Sequence, residues 1–282
     1  MTTTDMRQHV QGMWASVADA WDTYAGLADE VHAAVTTRML EITAPVPGDQ
    51  VLELACGAGG AGLAAARLVG PGGEVVLSDV VPRMVAVAGR RAVEQGVTNV
   101  RTKVIDLDQI EEPDAAYDVV LCREGLMFAF DPARAAREIA RVLRPAGRVG
   151  ISVWGPRAAN PWLSLVFDAA AEVFGGPVPP PGMPGPFALS DRDLLGRILS
   201  DAGLGEVAVE EIAGTRREST FEQWWTRTTA LAGPLAQRLA ALPDAVRDAL
   251  REKLREAVRP YESAAGLAFP SLNLLATARK KG

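Results

Sequence analysis

Residues 51–62 read Val-Leu-Glu-Leu-Ala-Cys-Gly-Ala-Gly-Gly-Ala-Gly, and this stretch limits the fold more than any other. An apolar run of strand length ends on a glycine loop, and a helix-forming run follows. Gly57, Gly59 and Gly62 stand at G-x-G-x-x-G spacing, a weak signal alone that gains weight from the strand–loop–helix context. Glycines let the backbone approach a ligand closely, and the helix start supplies N–H donors. A unit of this kind belongs to a sheet, and the following hundred residues supply one. Strands are expected at 50–55, 74–79, 100–106, 117–123 and 148–154, separated by helical stretches. Pro82 and the Asp131-Pro132 pair mark helix starts. Strands alternating with helices predict an α/β fold with a mostly parallel, Rossmann-like sheet and helices on both faces.

Outside this run the pattern changes. Residues 1–44 read as a helical arm, with Val10, Trp14, Val17, Trp21 and Tyr24 at helical steps. Residues 177–186 hold six prolines and are expected to form a stiff loop, after which Ser190 is placed to cap a helix reaching Ala202. A sixth strand is expected at 207–212, a helical stretch at 221–259 and a last strand at 272–278. The expected organisation is an arm at 1–44 that closes over a cofactor and a catalytic domain at 45–282. Insertions at 155–189 and 219–262 would form a helical lid over an acceptor.

Charge and composition exclude several classes. Lys+Arg number 29 against 35 Asp+Glu, a net charge of −6, which disfavours binding to a phosphate backbone. Cys56 and Cys122 lie far apart, and neither His9 nor His32 has a ligand cluster nearby, so no metal site is expected. The start of the chain has no basic-then-apolar leader, and no apolar run approaches the ~18–20 residues that span a bilayer. A cytoplasmic protein without membrane partners is expected, and a homodimer is compatible with this composition.

The ligand is read from three carboxylates. Glu53, four residues before Gly57, would repel a pyrophosphate and suit an ammonium group. Asp79 ends the second strand, where an acid accepts ribose hydroxyls. Asp106 ends the third, where an acid accepts the amine of adenine. An amino-acid end, a ribose and an adenine without phosphate describe S-adenosylmethionine (SAM).

With these residues in hand, the chain resembles the class I SAM-dependent methyltransferases, in the branch of the ubiquinone/menaquinone methyltransferases. The resemblance rests on Val51–Gly62, on Leu77-Ser78-Asp79 with Met84, and on Ile105-Asp106-Leu107-Asp108. Tyr117-Asp118-Val119-Val120 and residues 141–148 complete it, with Pro145-Ala146-Gly147 where the family usually has Pro-Gly-Gly. It implies a seven-stranded sheet whose last strand is antiparallel and lies between strands five and six. It also implies that Glu53 and the Gly57-Ala58-Gly59 loop hold the methionine end and that Asp79 takes the ribose. Met84, Asp106 and the Leu107 N–H would face the adenine. Trp21, on the arm, would cover the cofactor, with Cys122 and Arg123 on its acceptor side.

Five of the six tryptophans fall outside the βα run and the sixth, Trp154, at its last residue, and no Phe, Trp or Tyr occurs between Ala25 and Ala116. Trp162, Trp224 and Trp225 are therefore expected to line the pocket of a flat, apolar small-molecule acceptor. If the acceptor is protonated at neutral pH, a base is needed; His9, His32 and Glu124 are the candidates. The expected activity is methyl transfer to a small aromatic or apolar acceptor, O-methylation ahead of C-methylation. The specialised-metabolite chemistry of polyketide or quinone-like antibiotics is a fitting setting. The alternatives are an NAD-dependent oxidoreductase, which lacks a Tyr-x-x-x-Lys pair here, and a SAM-binding regulator without catalysis.

Overall fold

The computed structural model describes residues 3–282, with the side chains of residues 3–6, His9 and Pro234 outside the described set. The expectation for His9 as a base therefore falls outside the described residues. Four short helices come first: α1 (Thr3–Ala15), α2 (Ala18–Thr23), α3 (Ala25–Val31) and α4 (Ala33–Thr43). The βα run follows as β1 (Gln50–Glu53), α5 (Gly60–Val69), β2 (Glu74–Asp79), α6 (Pro82–Glu94), β3 (Val100–Val104) and β4 (Tyr117–Arg123). It continues with α7 (Pro132–Val142) and β5 (Leu143–Trp154). Then come α8 (Pro161–Phe174), α9 (Arg192–Asp201), β6 (Leu204–Glu218), α10 (Phe221–Leu231), α11 (Pro234–Ala240) and α12 (Asp244–Ala257). A two-residue β7 (Glu262–Ser263) and a long β8 (Gly266–Lys280) close the list.

The sheet order is β3-β2-β1-β4-β5-β8-β6, with β7 paired to β8. Strands β1 to β5 pair in parallel, and β8 pairs antiparallel to β5 from Arg148↔Arg279 to Trp154↔Asn273. The antiparallel strand thus sits between the fifth and sixth, as the resemblance implies. The small β7 makes the sheet eight-stranded where seven were expected. Strands β1, β2 and β4 are nearly all buried, as befits central parallel strands covered by helices on both faces. The edge strand β3 is largely exposed.

Local chemistry explains where elements stop. The first strand ends at Glu53, short of the expected residue 55, because Ala55 takes a left-handed φ of 51°. Helix α7 is capped by the Asp131 carboxylate, which accepts from the Arg134 N–H at 2.9 Å. The cap of α9 is Asp191, whose side chain accepts from the Leu194 N–H at 2.8 Å; Ser190, expected there, instead bonds the Phe187 carbonyl. The expected single helix over 221–259 is three helices, broken at Gly233 (φ 56°) with Pro234 and again at Pro243.

The chain divides into two compact units. The sheet unit comprises residues 21–155, 184–212 and 273–282. The helical unit comprises residues 1–20, 156–183 and 213–272. The expected arm is therefore cut at Trp21, with 21–44 assigned to the sheet unit. Among the described residues, no helix is long and apolar enough to cross a membrane.

Candidate active site

The glycine loop is built by backbone that only glycine adopts easily. Gly57 and Gly59 have φ of 50° and 83°, and α5 begins directly after them. The Trp21 indole lies over this turn, with Cε3 3.7 Å from where a Gly57 side chain would begin. Its Nε1 is buried and makes no hydrogen bond. A side chain at Gly60 would collide with the Asp29 carboxylate and the Arg123 guanidinium, so the loop is closely walled.

Two of the expected carboxylates hold the loop. Glu53 is buried, and its Oε2 accepts from the Gly62 N–H at 2.8 Å. Burial pushes its pKa up to about 7, partly opposed by Arg123. Glu53 therefore ties β1 to the first turn of α5. Asp79 accepts from the Gly57 N–H at 3.0 Å through Oδ2 and from the Val81 N–H at 3.0 Å through Oδ1. Burial raises its pKa as well, while those N–H groups pull it down. A carboxylate has about four acceptor positions, so Asp79 keeps capacity for hydroxyl donors. Asp106 caps a tight turn by accepting from the Asp108 N–H at 2.8 Å, with Leu107 half-buried in between. Met84 is buried on α6, and Ala58 packs with Ala25 and Val87.

Sequence reading missed two of the charges behind the loop, Asp29 and Arg91. Arg91 donates to the Ala58 carbonyl at 2.5 Å and to Asp29 at 2.6 Å. Arg123 donates to Thr36 at 2.8 Å and lies 3.8 Å from Asp29. Helices α3 and α4 are thereby tied to the loop and to the end of β4. No local pattern marks Asp29 or Arg91, because their contacts join residues 62 apart.

Cys122 was expected at the boundary of the site, and here the structure corrects the sequence. The side chain is fully buried, and its Sγ crowds the α-carbon face of Gly125. Burial drives the thiol up to about 12. The tryptophans need a similar correction. Trp162 and Trp224 are interior residues of the helical unit, 5% and 0% exposed, and the Trp224 Nε1 donates to the Trp162 carbonyl at 2.9 Å. Trp224 also packs against Phe221 and Phe269 at 5.6 and 5.3 Å between ring centroids. Of the three only Trp225 is half-exposed.

The two residues suggested as bases, far apart in sequence, meet. His32 sits at the junction of α3 and α4, and its Nδ1 lies 2.6 Å from the Ala28 carbonyl oxygen. A carbonyl only accepts, so Nδ1 is the nitrogen that donates there, and this hydrogen bond turns Nε2 toward Glu124. Nε2 stands 3.8 Å from the Glu124 Oε2. Glu124 follows the end of β4 with a left-handed φ of 51°, a strained conformation for a residue with a side chain. Its Oε1 accepts from Ser152 at 2.8 Å and Asn273 at 2.7 Å, while Oε2 is buried without a hydrogen bond. Burial holds this carboxyl above the usual carboxylate range, with Arg123, Ser152 and Asn273 pulling the other way. The His32 ring leans on Trp154 at 5.5 Å. The imidazole and the carboxylate are thus close neighbours, separated by slightly more than a hydrogen bond. Ser152 and Asn273 are polar residues inside otherwise apolar strands, a signal available in the sequence. Among the described residues no group of three or more His, Cys, Asp or Glu is placed to hold a metal.

Comparison with known proteins agrees with this geometry. A family model described as a methyltransferase domain matches residues 45–163. Nocamycin O-methyltransferase of Saccharothrix syringae is 32% identical over 201 residues, covering 69% of this chain and 60% of that protein. The ubiquinone/menaquinone biosynthesis C-methyltransferase UbiE of Hahella chejuensis is 30% identical over 167 residues, 58% of this chain and 67% of that protein. The chain therefore spans three fifths to two thirds of the length of these relatives. The fold is shared with the crystal structure of a putative methyltransferase from Bacillus halodurans, with TM-score 0.60 and 21% identity over 88% of this chain and 99% of that one. The strand order, the glycine loop and these relatives together establish that the chain belongs to the SAM-dependent methyltransferases, in the branch that includes UbiE.

Proposed function

We propose that this protein transfers the methyl group of SAM to a hydroxyl of a small acceptor. The observation that carries this reading is the His32–Glu124 pair, whose facing atoms are 3.8 Å apart. Similarity to nocamycin O-methyltransferase supports it.

The residues around the loop fit SAM. The left-handed glycines, the buried Trp21 Nε1 without a partner and the remaining acceptor capacity of Asp79 form one cradle. Asp79 and Asp106 would hold its ribose and adenine; Gly57, Ala58 and Gly59 would take its amino-acid end. Glu53 and Arg91 act by fixing the loop that does so. When bound, SAM supplies an activated methyl carbon for in-line displacement. The chain then has to align the acceptor, exclude water and remove a proton. His32 Nε2 accepts the hydroxyl proton, and the resulting imidazolium is stabilised by the ionised Glu124. Ser152 and Asn273 hold Glu124 in orientation through its other oxygen. Arg123, with its Nε 3.9 Å from Glu124, favours the ionised carboxylate.

A second reading, C-methylation of a phenol-like ring, is favoured by the similarity to UbiE. The same pair would then remove a phenolic proton and raise the nucleophilicity of the ring. Incubation with labelled SAM and a panel of hydroxylated aromatic and polyketide acceptors, read by mass spectrometry and NMR, tests both. Oxygen-linked methyl groups are expected. Carbon-linked products would select the second reading, and transfer undiminished in Glu124→Gln would overturn the role of the pair.

A further inference from the structure

The helical unit contains a cation that the methyl-transfer reading does not use. Residues 216–218 end β6 with the pattern Arg-Arg-Glu; Arg216 and Glu218 point inward, and Arg217 points to solvent. Arg216 is 6% exposed, and its guanidinium stacks on the Trp162 ring at 4.0 Å from the centroid. It makes no hydrogen bond: its Nε is buried without a partner, and the nearest carboxylate oxygen, Glu218 Oε1, is 3.8 Å away and is itself unbonded. Glu218 instead pairs with Arg227 through Oε2 at 2.7 Å. The cluster therefore sets two arginines, the buried Arg216 and the partly exposed Arg227, against one buried carboxylate.

A buried charge without hydrogen bonds is costly, because desolvation is not offset. Burial lowers the Arg216 pKa to about 10, with Glu218 opposing the shift and Arg227 adding to it. A guanidinium has five donors in a rigid fork that matches a carboxylate, and the indole beneath it fixes the plane of that fork. The bland alternative is that inward charges on an edge strand only prevent pairing with another chain. That role needs no stacking partner and no excess of positive charge.

We propose that Arg216, stacked on Trp162, is the anchor of a binding site for a carboxylate-bearing small molecule in the helical unit. The ligand's carboxylate lies in the plane of the guanidinium and neutralises the cluster. This site does not depend on the identity of the base or of the methylated atom.

The test uses the full chain without SAM, with benzoate and acetate as probes, benzamide as the neutral control and sodium chloride to match ionic strength. Calorimetry and thermal melting are expected to show saturable carboxylate binding and a raised Tm, with benzamide inert. Arg216→Gln should weaken benzoate by roughly 10- to 100-fold, and Arg216→Lys should fall between, since it keeps charge but loses the fork. Glu218→Gln, which removes the competing carboxylate, should tighten binding. If Arg216→Gln fails to fold, the wild-type comparison of benzoate, benzamide and chloride still decides. A Tm that rises equally with chloride, equal binding of benzamide, or benzoate binding untouched by Arg216→Gln would overturn the proposal.

Discussion

The carboxyl edge of the sheet carries two kinds of buried carboxylate. Glu53 and Asp79, at the ends of β1 and β2, accept backbone N–H groups of the glycine loop and are part of its construction. Glu124, just past the end of β4, accepts two side-chain donors with one oxygen and leaves the other facing His32. All three are pushed upward by burial. The difference lies in what shares their lone pairs. Backbone donors fix a shape, whereas side chains that engage one oxygen aim the other. The first arrangement gives a rigid cradle, and the second leaves room for a mobile proton.

This contrast breaks most sharply at Glu124. Glu124→Gln keeps the acceptor for Ser152 and Asn273 but cannot stabilise an imidazolium. Acceptor turnover should fall by about 10²–10⁴-fold, the usual worth of a general base. SAM affinity, read by calorimetry, should not move. The wild-type rate should rise with pH on an acidic limb set above the ordinary carboxylate range, and the variant should lose that limb.

Glu53 should show the opposite behaviour, a stability effect. Its pKa in the folded protein is about 7 against 4.5 for an ordinary glutamate. Between those values the folded state holds a proton that the unfolded state has released, so stability should fall as pH rises through the window. The full drop is about 3 kcal/mol. Glu53→Gln keeps an acceptor for Gly62 and should flatten the profile. Denaturant melts of both proteins from pH 4 to 8 measure it, and parallel curves would show that Glu53 ionises without cost.

Asp79→Ala comes next. It removes both backbone anchors and the proposed ribose acceptor, and SAM affinity should fall by roughly 10- to 100-fold. Asp79→Asn should recover only part, because a carboxamide has one acceptor oxygen. Unchanged affinity in the alanine variant would make Asp79 a loop anchor alone. The smallest effect is expected from chelation. EDTA should leave turnover unchanged. Loss of activity restored by magnesium would contradict it.

The sequence was most legible where structure is local. The alternation from Gln50 to Trp154, the glycine loop and the acids at strand ends each depend on neighbours within a few residues. Helix α8 lies within the insertion expected at 155–189, where no helix bounds were assigned although Asn160-Pro161 marks its start. The Asn160 side chain in fact pairs with the backbone of Leu272 in both directions, at 3.0 Å each way. The helical stretch expected at 221–259 proved interrupted, and Val246 within it is exposed. The tryptophans misled for a physical reason. Scarcity in the βα run shows where aromatics are not, but a small helical unit needs them for its own interior. His32 and Glu124 could each be suspected singly, yet their meeting depends on the turn between α3 and α4, which periodicity does not encode. Asn273 lies 149 residues from the carboxylate it orients.

The place of β8 has a consequence for the order of events during synthesis. This strand lies between β5 and β6, although it leaves the ribosome after both. Until it arrives, two long strands have open edges, the arrangement most prone to wrong pairing. The same strand delivers Asn273 to Glu124. A nascent chain can therefore complete its glycine loop early, since β1, β2 and α6 are already made. The proposed proton-accepting pair is set only when the sheet is closed, so the loop proposed to cradle the cofactor forms before the groups proposed for catalysis meet.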